Sequence, residues 1–181
     1  MIHELRQYTL TRQNWESYWR LFNDVCMPIR KHDFGLPVGA WEEVCGEGVR
    51  FWHLWQYDSL EDRQAKRAEL GRITEWGRDF INHAVPLIDS QVVRILSPKR
   101  MPPEGIETAT RWAAMQCRIG AAGKVAEELD DVLSAGAGLW TEEFSNPNCV
   151  WVLSAVDEVT SSDEAAHTQT SRQLKALSIP C

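Results

Sequence analysis

Gly39, Trp41, Trp52, Leu54 and Asp58 recur at a fixed offset of 99 residues as Gly138, Trp140, Trp151, Leu153 and Asp157. Five coincidences on one offset, two of them tryptophan, define an internal repeat. The chain is then one supersecondary unit used twice. Its 181 residues suffice for two small cores that share an interface.

The first copy reads in a definite order. Ile2 to Leu10 alternates as a strand, with Glu4, Arg6 and Tyr8 on one face and His3, Leu5 and Gln7 on the other. Asn14 is the expected cap of a helix whose apolar stripe is Trp15, Tyr18, Trp19, Phe22, Val25, Cys26 and Ile29, with Pro28 expected to kink it or to start a new turn. Val38–Cys45 and Val49–Asp58 are strands joined around Gly46-Glu47-Gly48, a hairpin signal. Asp58 or Ser59, with Glu61 or Asp62, forms a capping box for the next helix. Trp76, Phe80, Ala84 and Leu87 or Ile88 continue a buried stripe, and Ser90–Leu96 is a last strand. The order βαββαβ is the split βαβ motif of ferredoxin-like folds, with the first and third strands side by side.

The spacing predicts a unit over residues 1–98, an exposed Pro-rich linker over 99–107, and a second unit over 108–181. In the second copy Thr108–Ile119 is the expected first strand, Ala122–Leu133 a shortened helix, and Gly138–Phe144 with Cys149–Val156 the hairpin. Asp163–Leu177 is the expected last helix, which leaves four residues for a fourth strand and makes this unit truncated. Where the first copy has His53, Trp55 and Tyr57, the second has Val152, Ser154 and Val156. Any site therefore belongs to the first copy.

Charge and cysteine usage narrow the function. The net charge of −7 arises beyond residue 100, where 5 Lys/Arg face 12 Asp/Glu, whereas residues 1–100 hold 14 of each. Without a basic stripe, nucleic acid is not an expected partner. Five cysteines form no CxxC pair and sit in apolar segments, as reduced structural thiols do. There is no apolar run of membrane length and no signal-peptide order, so the expected setting is the cytoplasm, away from any membrane.

Glu4-Leu5-Arg6-Gln7-Tyr8-Thr9-Leu10, His53-Leu54-Trp55-Gln56-Tyr57-Asp58-Ser59-Leu60 with Arg63 and Arg67, Glu75-Trp76 with Phe80, and Gln91 to Pro98 stand in the order seen in one family. Over this first unit the chain resembles NIPSNAP proteins. The resemblance implies an α+β fold of the dimeric α+β barrel type, in which tandem copies supply two ferredoxin-like sheets. Relatives by that fold include cofactor-free monooxygenases, isomerases and polyketide cyclases, so the resemblance implies no single activity.

With matching pleats, Glu4, Arg6 and Tyr8 lie beside His53, Trp55 and Tyr57, and Phe51 adds an apolar wall. The expected catalytic residues are His53, Tyr57, Arg6 and Tyr8: an imidazole to move a proton, a guanidinium to hold an enolate oxygen, and phenols to donate to a carbonyl. Glu4, Phe51, Trp55, Trp41 and Gln91 are expected to bind substrate. No metal-ligand spacing or nucleotide fingerprint is present, so no cofactor is expected, although one axial imidazole for haem needs no spacing rule. The reading is a small-molecule enzyme for proton transfer or cofactor-free oxygenation on an aromatic or polyketide-like substrate. The alternative is a noncatalytic binding protein. Self-association is expected.

Overall fold

A computed structural model describes residues 1–101, 109–155 and 166–179. The chain divides into two compact units, Met1–Val93 with Leu177–Cys181, and Arg94–Ala176.

In the first unit, β1 (Ile2–Thr11) runs directly into α1 (Arg12–Leu21). The cap is Thr11 rather than Asn14. The Thr11 hydroxyl accepts the Asn14 N–H at 3.2 Å, so the residue expected to cap is instead the one being capped. A π-helical turn, Phe22–Cys26, links α1 to α2 (Met27–Arg30). In it the Met27 N–H bonds to the Phe22 carbonyl five residues back. Widening there accommodates Pro28, which has no N–H and whose ring would press on the carbonyl four residues earlier. The kink expected at proline is thus taken up one turn before it.

The hairpin follows as β2 (Leu36–Cys45) and β3 (Gly48–Tyr57), turning at Gly46-Glu47 with Gly46 at φ 56°. Next comes α3 (Leu60–Leu70), where the Ser59 hydroxyl accepts the Asp62 N–H and the Asp62 carboxylate accepts the Asp58 N–H, each at 3.1 Å. The capping box is therefore built from Ser59 and Asp62. A second π-helical turn, Trp76–Ile81, leads through α4 (Asn82–Ala84) and a 3₁₀ turn, Val85–Leu87, into β4 (Ser90–Arg100). The strands of this unit lie in the order β4-β1-β3-β2.

One face of the sheet carries the unit's core, in which Tyr8, Leu10, Phe51, Trp55 and Tyr57 from the strands meet Trp15, Tyr18, Phe22 and Phe80 from the helices. Gly35 makes one of these contacts possible. It sits at φ 102°, and a Cβ there would lie 2.7 Å from the Tyr57 ring. Only glycine satisfies both conditions without strain.

The second unit repeats the order. Its strands β5 (Arg111–Cys117), β6 (Gly138–Phe144), β7 (Cys149–Ser154) and β8 (Ala166–Gln173) lie as β8-β5-β7-β6, with α5 (Ala122–Val132) after β5. The expected helix over 163–177 is corrected by β8, which pairs with β5 from Arg111↔Gln173 to Cys117↔Ala166 and supplies the fourth strand. Thr168, Thr170 and Ser171 in a weakly amphipathic stretch favour an edge strand over a helix. A short β9 (Lys175–Leu177) follows, and Ser178 and Ile179 are not strand. β4 continues to Arg100, two residues into the stretch expected as an exposed linker, with Pro98 opposite Trp140 of β6. The expected Asp157 position lies outside the described residues, as does most of the Pro-rich stretch.

Strand register shows what the duplication kept. Trp41 stands opposite Trp52 and, in the second unit, Trp140 opposite Trp151. The Trp52 indole N–H donates to Glu43 at 2.9 Å and that of Trp151 to Glu142 at 2.8 Å. Glu43 and Glu142 stand at the same offset as the tryptophans, a sixth coincidence that the sequence pattern had not singled out. On the other sheet face the copies diverge. Phe51 and His53 correspond to Val150 and Val152, and across the ladder Tyr8 and Arg6 correspond to Met115 and Ala113. These four belong to an aliphatic cluster with α5. The second unit has exchanged polar side chains for packing.

Candidate functional site

The antiparallel register of β1 and β3 places Arg6 opposite His53, Glu4 opposite Trp55 and Tyr8 opposite Phe51. The two rows share one sheet face, as the alternation required. Over that face, beneath the helices of the first unit, is a cavity of about 220 Å³. Its polar lining comes from Arg6, Tyr8, Tyr18, His53, Arg30, Arg67 and Gln91, and its walls include Phe22, Trp76 and Phe80. Both π-helical turns contribute to these walls. Such turns recur at functional sites because the extra residue re-aims side chains within a helix.

Four of the expected site residues line the cavity: Arg6, Tyr8 and His53 at its buried end, and Gln91, itself exposed, at its edge. Four others stand behind them. Glu4, fully buried, receives the Arg6 Nε–H at 2.5 Å and also pairs with Arg63 of α3. Phe51 stacks on the His53 ring, with centroids 4.6 Å apart and planes at 13°. Trp55 donates its indole N–H to His53 Nδ1 at 2.6 Å. Tyr57 accepts a hydrogen bond from Arg30 at 3.0 Å. Trp41 does not belong to the site. Ala40, not Trp41, stands opposite His53, so Trp41 projects from the other face of the sheet.

Two cationic residues of the cavity were not anticipated. Arg30 is 4% exposed, lies with its guanidinium carbon 3.4 Å from the Trp55 ring centroid, and donates to the Phe34 carbonyl and the Tyr57 hydroxyl. Its Nε has no partner, and no carboxylate of the described residues pairs with it. The signal was present in the sequence: Phe22, Cys26 and Arg30 are spaced by four, so a charge continues an apolar stripe. Arg67 follows Arg63 by one turn of α3, on a helix whose charges read as a solvated face. Instead Arg63 reaches buried Glu4 and Arg67 reaches the cavity, while Lys66 makes the solvated pair with Asp62 at 3.0 Å.

Chemistry follows from the proton positions. An indole N–H can only donate, so His53 Nδ1 must accept and the neutral ring carries its hydrogen on Nε2. Burial, with the Arg6 and Arg30 charges behind it, holds the His53 pKa well below the usual imidazole range. Nε2 is buried with no partner among the described residues. His53, which lines the cavity, is thus a hydrogen-bond donor and not the proton acceptor expected from an unperturbed imidazole. Arg6 Nη1 donates to the Tyr8 oxygen at 2.8 Å, which leaves the phenol's own hydrogen available. Burial opposes the Arg6 charge, but Tyr8 and Glu4 outweigh it and raise the guanidinium's pKa. Burial also pushes the Cys26 thiol at the cavity wall up to about 12, so it is no thiolate. Among the described residues no Asp or Glu lines the cavity. No group of three or more His, Cys, Asp or Glu side chains among the described residues gathers as a metal ligand set.

Residues 3–103 match the NIPSNAP family model. The chain belongs to the NIPSNAP family. The match contains every residue that lines the cavity. Protein NipSnap of Drosophila melanogaster is 31% identical over 106 residues, which are 56% of this NIPSNAP chain and 36% of the fly protein. The chain therefore spans about a third of that relative's length. A NIPSNAP family protein of unknown function from Agrobacterium tumefaciens has 29% identity and a TM-score of 0.52, over 57% of this chain and 92% of its own. Similarity over both units is to a protein from Lactobacillus acidophilus described as a candidate monooxygenase, with a TM-score of 0.66 and 15% identity over 97% of this chain and 93% of that one. That likeness is one of fold. The NIPSNAP chain has the α+β class of tandem ferredoxin-like units, as in dimeric α+β barrels. No helix among its described residues is long and apolar enough to cross a membrane.

Proposed function

We propose that this NIPSNAP chain binds an aromatic small molecule in the first-unit cavity and stabilises it as an oxyanion, an enolate or phenolate, for proton-transfer or oxygenation chemistry. The observation that carries the reading is the lining itself. It presents three guanidiniums, two phenols and an imidazole that carries its hydrogen on Nε2, and no carboxylate among the described residues. Donors fixed in a low-dielectric, apolar-walled site lower the pKa of a bound ketone or phenol by favouring its anion. In this reading Arg6 and His53 hold the developing oxygen charge, and Glu4 and Trp55 fix their orientation. The proton leaves to water at the mouth beside Arg67 and Gln91. Protonation at another carbon completes an isomerisation. Attack of the carbanion on dioxygen begins an oxygenation, the chemistry named for the fold relative from Lactobacillus acidophilus.

The test is solvent deuterium exchange at carbon and oxygen uptake, measured over a panel of aryl ketones and phenols. The expected result is turnover above buffer that falls about 10²-fold in Arg6→Met, as for loss of an oxyanion donor. One observation favours a noncatalytic binding protein instead. His53 Nδ1 is already engaged and no carboxylate is at hand, so no strong base lines the cavity. Ligand binding without exchange or oxygen uptake across the panel would decide for that second reading.

A further inference from the structure

The buried end of the cavity carries more positive charge than the protein neutralises. Glu4 is shared between Arg6 and Arg63, so its single negative charge is already spent on two guanidiniums. Arg30 has an aromatic face, a phenol and a carbonyl around it, but no carboxylate of the described residues. A guanidinium 4% exposed and left without a counter-charge is unfavourable unless something anionic joins it. Two donors nearby also lack partners, Arg30 Nε and His53 Nε2, both on side chains more than nine-tenths buried. Every polar group at this end donates or can donate. An acceptor-only group is what completes it.

Size restricts the rest of the ligand. A cavity of roughly 150 Å³ holds one benzene ring. The 220 Å³ here leaves space for a ring with a carboxylate and one small substituent, and is too small for three fused rings. Phe22, Trp76 and Phe80 supply the apolar walls such a ring packs against.

We propose that the ligand is a single-ring aromatic carboxylate, bound as a monoanion with its acid group on Arg30 and Arg6 and a second oxygen on His53 Nε2–H. This rests on the cavity being the ligand site, as in the function proposed above, and narrows the substrate class from aromatic compounds in general to small aromatic acids. Arg67, exposed at the mouth, is solvated and needs no second anionic group. A monoanion matches Arg30, the buried guanidinium that no carboxylate of the described residues meets.

The experiment is calorimetric titration of the full chain with 2-hydroxybenzoate, its neutral isostere 2-hydroxybenzamide, anthracene-9-carboxylate and inorganic phosphate. The expected result is that 2-hydroxybenzoate binds at least about ten-fold tighter than each of the others, as charge-assisted pairing with a buried guanidinium provides. Arg30→Met should remove the preference for acid over amide, and Arg30→Lys should restore part of it. Equal affinity for acid and amide would overturn the proposal, as would phosphate or the three-ring acid binding as tightly as the single ring. So would absence of 2-hydroxybenzoate binding at roughly 1 mM, the weak end of specific affinity. If Arg30→Met does not fold, the acid-to-amide comparison on the unmodified chain decides alone. The two proposals fail separately: turnover of a neutral or larger substrate would sink this one and leave the enzymatic reading standing, whereas acid binding without turnover would do the reverse.

Discussion

Glu4→Gln is the most direct test of how the polar face is held. The carboxylate is fully buried, accepts the Arg6 Nε–H at 2.5 Å, and pairs through its other oxygen with Arg63. Glutamine keeps the shape and one acceptor oxygen, but removes the charge and turns the second oxygen into an NH₂ that faces Arg63. Breaking a buried ion pair by removing one partner costs about 3–5 kcal/mol, because the remaining charge stays desolvated. Arg63 is partly exposed and can turn to solvent, so the lower part of that range, about 3 kcal/mol, is the expected cost. With a urea slope of roughly 2–3 kcal/mol/M, the unfolding midpoint followed by tryptophan fluorescence should fall by about 1–1.5 M. Exposed Glu16→Gln on α1 is the control and should move it by less than about 0.2 M. A Glu4→Gln midpoint within about 0.3 M of the parent would refute the reasoning, since Arg6 would then be placed without its carboxylate.

Three further outcomes follow from the geometry. Trp55→Phe removes the only donor seen on His53 Nδ1, so nitrogen NMR of labelled histidine should change from an Nε2–H tautomer to a mixture; an Nδ1–H signal in the parent would contradict the assignment. Gly35→Ala combines φ 102° with a Cβ 2.7 Å from the Tyr57 ring and should cost roughly 2–4 kcal/mol in thermal or urea unfolding, against about 1 kcal/mol for Gly46→Ala, where φ is 56° but the space is open. Acid should destabilise the fold well above the carboxylate range. Burial lowers the His3 pKa from 6.5 to about 4, with the Gln56 hydrogen bond opposing and the N-terminal charge adding to the shift. The unfolded chain takes up that proton first, so stability is full above pH 6.5 and declines as pH falls toward 4. The loss from His3 reaches about 2 kcal/mol by pH 5, and His53 acts in the same direction. Urea midpoints at pH 7 and 5 measure it, and an unchanged pH dependence in His3→Gln would reject His3 as the source.

Much of the first unit was legible because its signals are local. The alternation Glu4-Arg6-Tyr8 and His53-Trp55-Tyr57 needed only a period of two and a neighbouring strand to become one face, and the register bears this out with Arg6 opposite His53. The same logic, carried through the two-residue turn Gly46-Glu47, puts Trp41 opposite Trp52 and off the site. That information lies in the hairpin itself. The fourth strand of the second unit was less accessible. Ala166–Gln173 has no apolar period to distinguish strand from helix, and its pairing with β5 joins residues far apart in sequence, from Cys117↔Ala166 to Arg111↔Gln173.

What the residues determined by themselves is the ladder of unit one, the tryptophan framework shared by both copies, and the loss of the imidazole at Val152 and of the indole at Ser154. Each is a matter of periodicity, which sequence carries in full. What only the tertiary structure decided is the sign of the site and the role of its histidine. A charged residue on a helix reads as solvated until the helix is placed, so Arg30 and Arg67 became cavity residues only once α2 and α3 lay over the sheet. A histidine reads as a base until its partner is known. The 2.6 Å contact from Trp55 makes His53 a donor, because an indole has a proton to give and nothing with which to accept one.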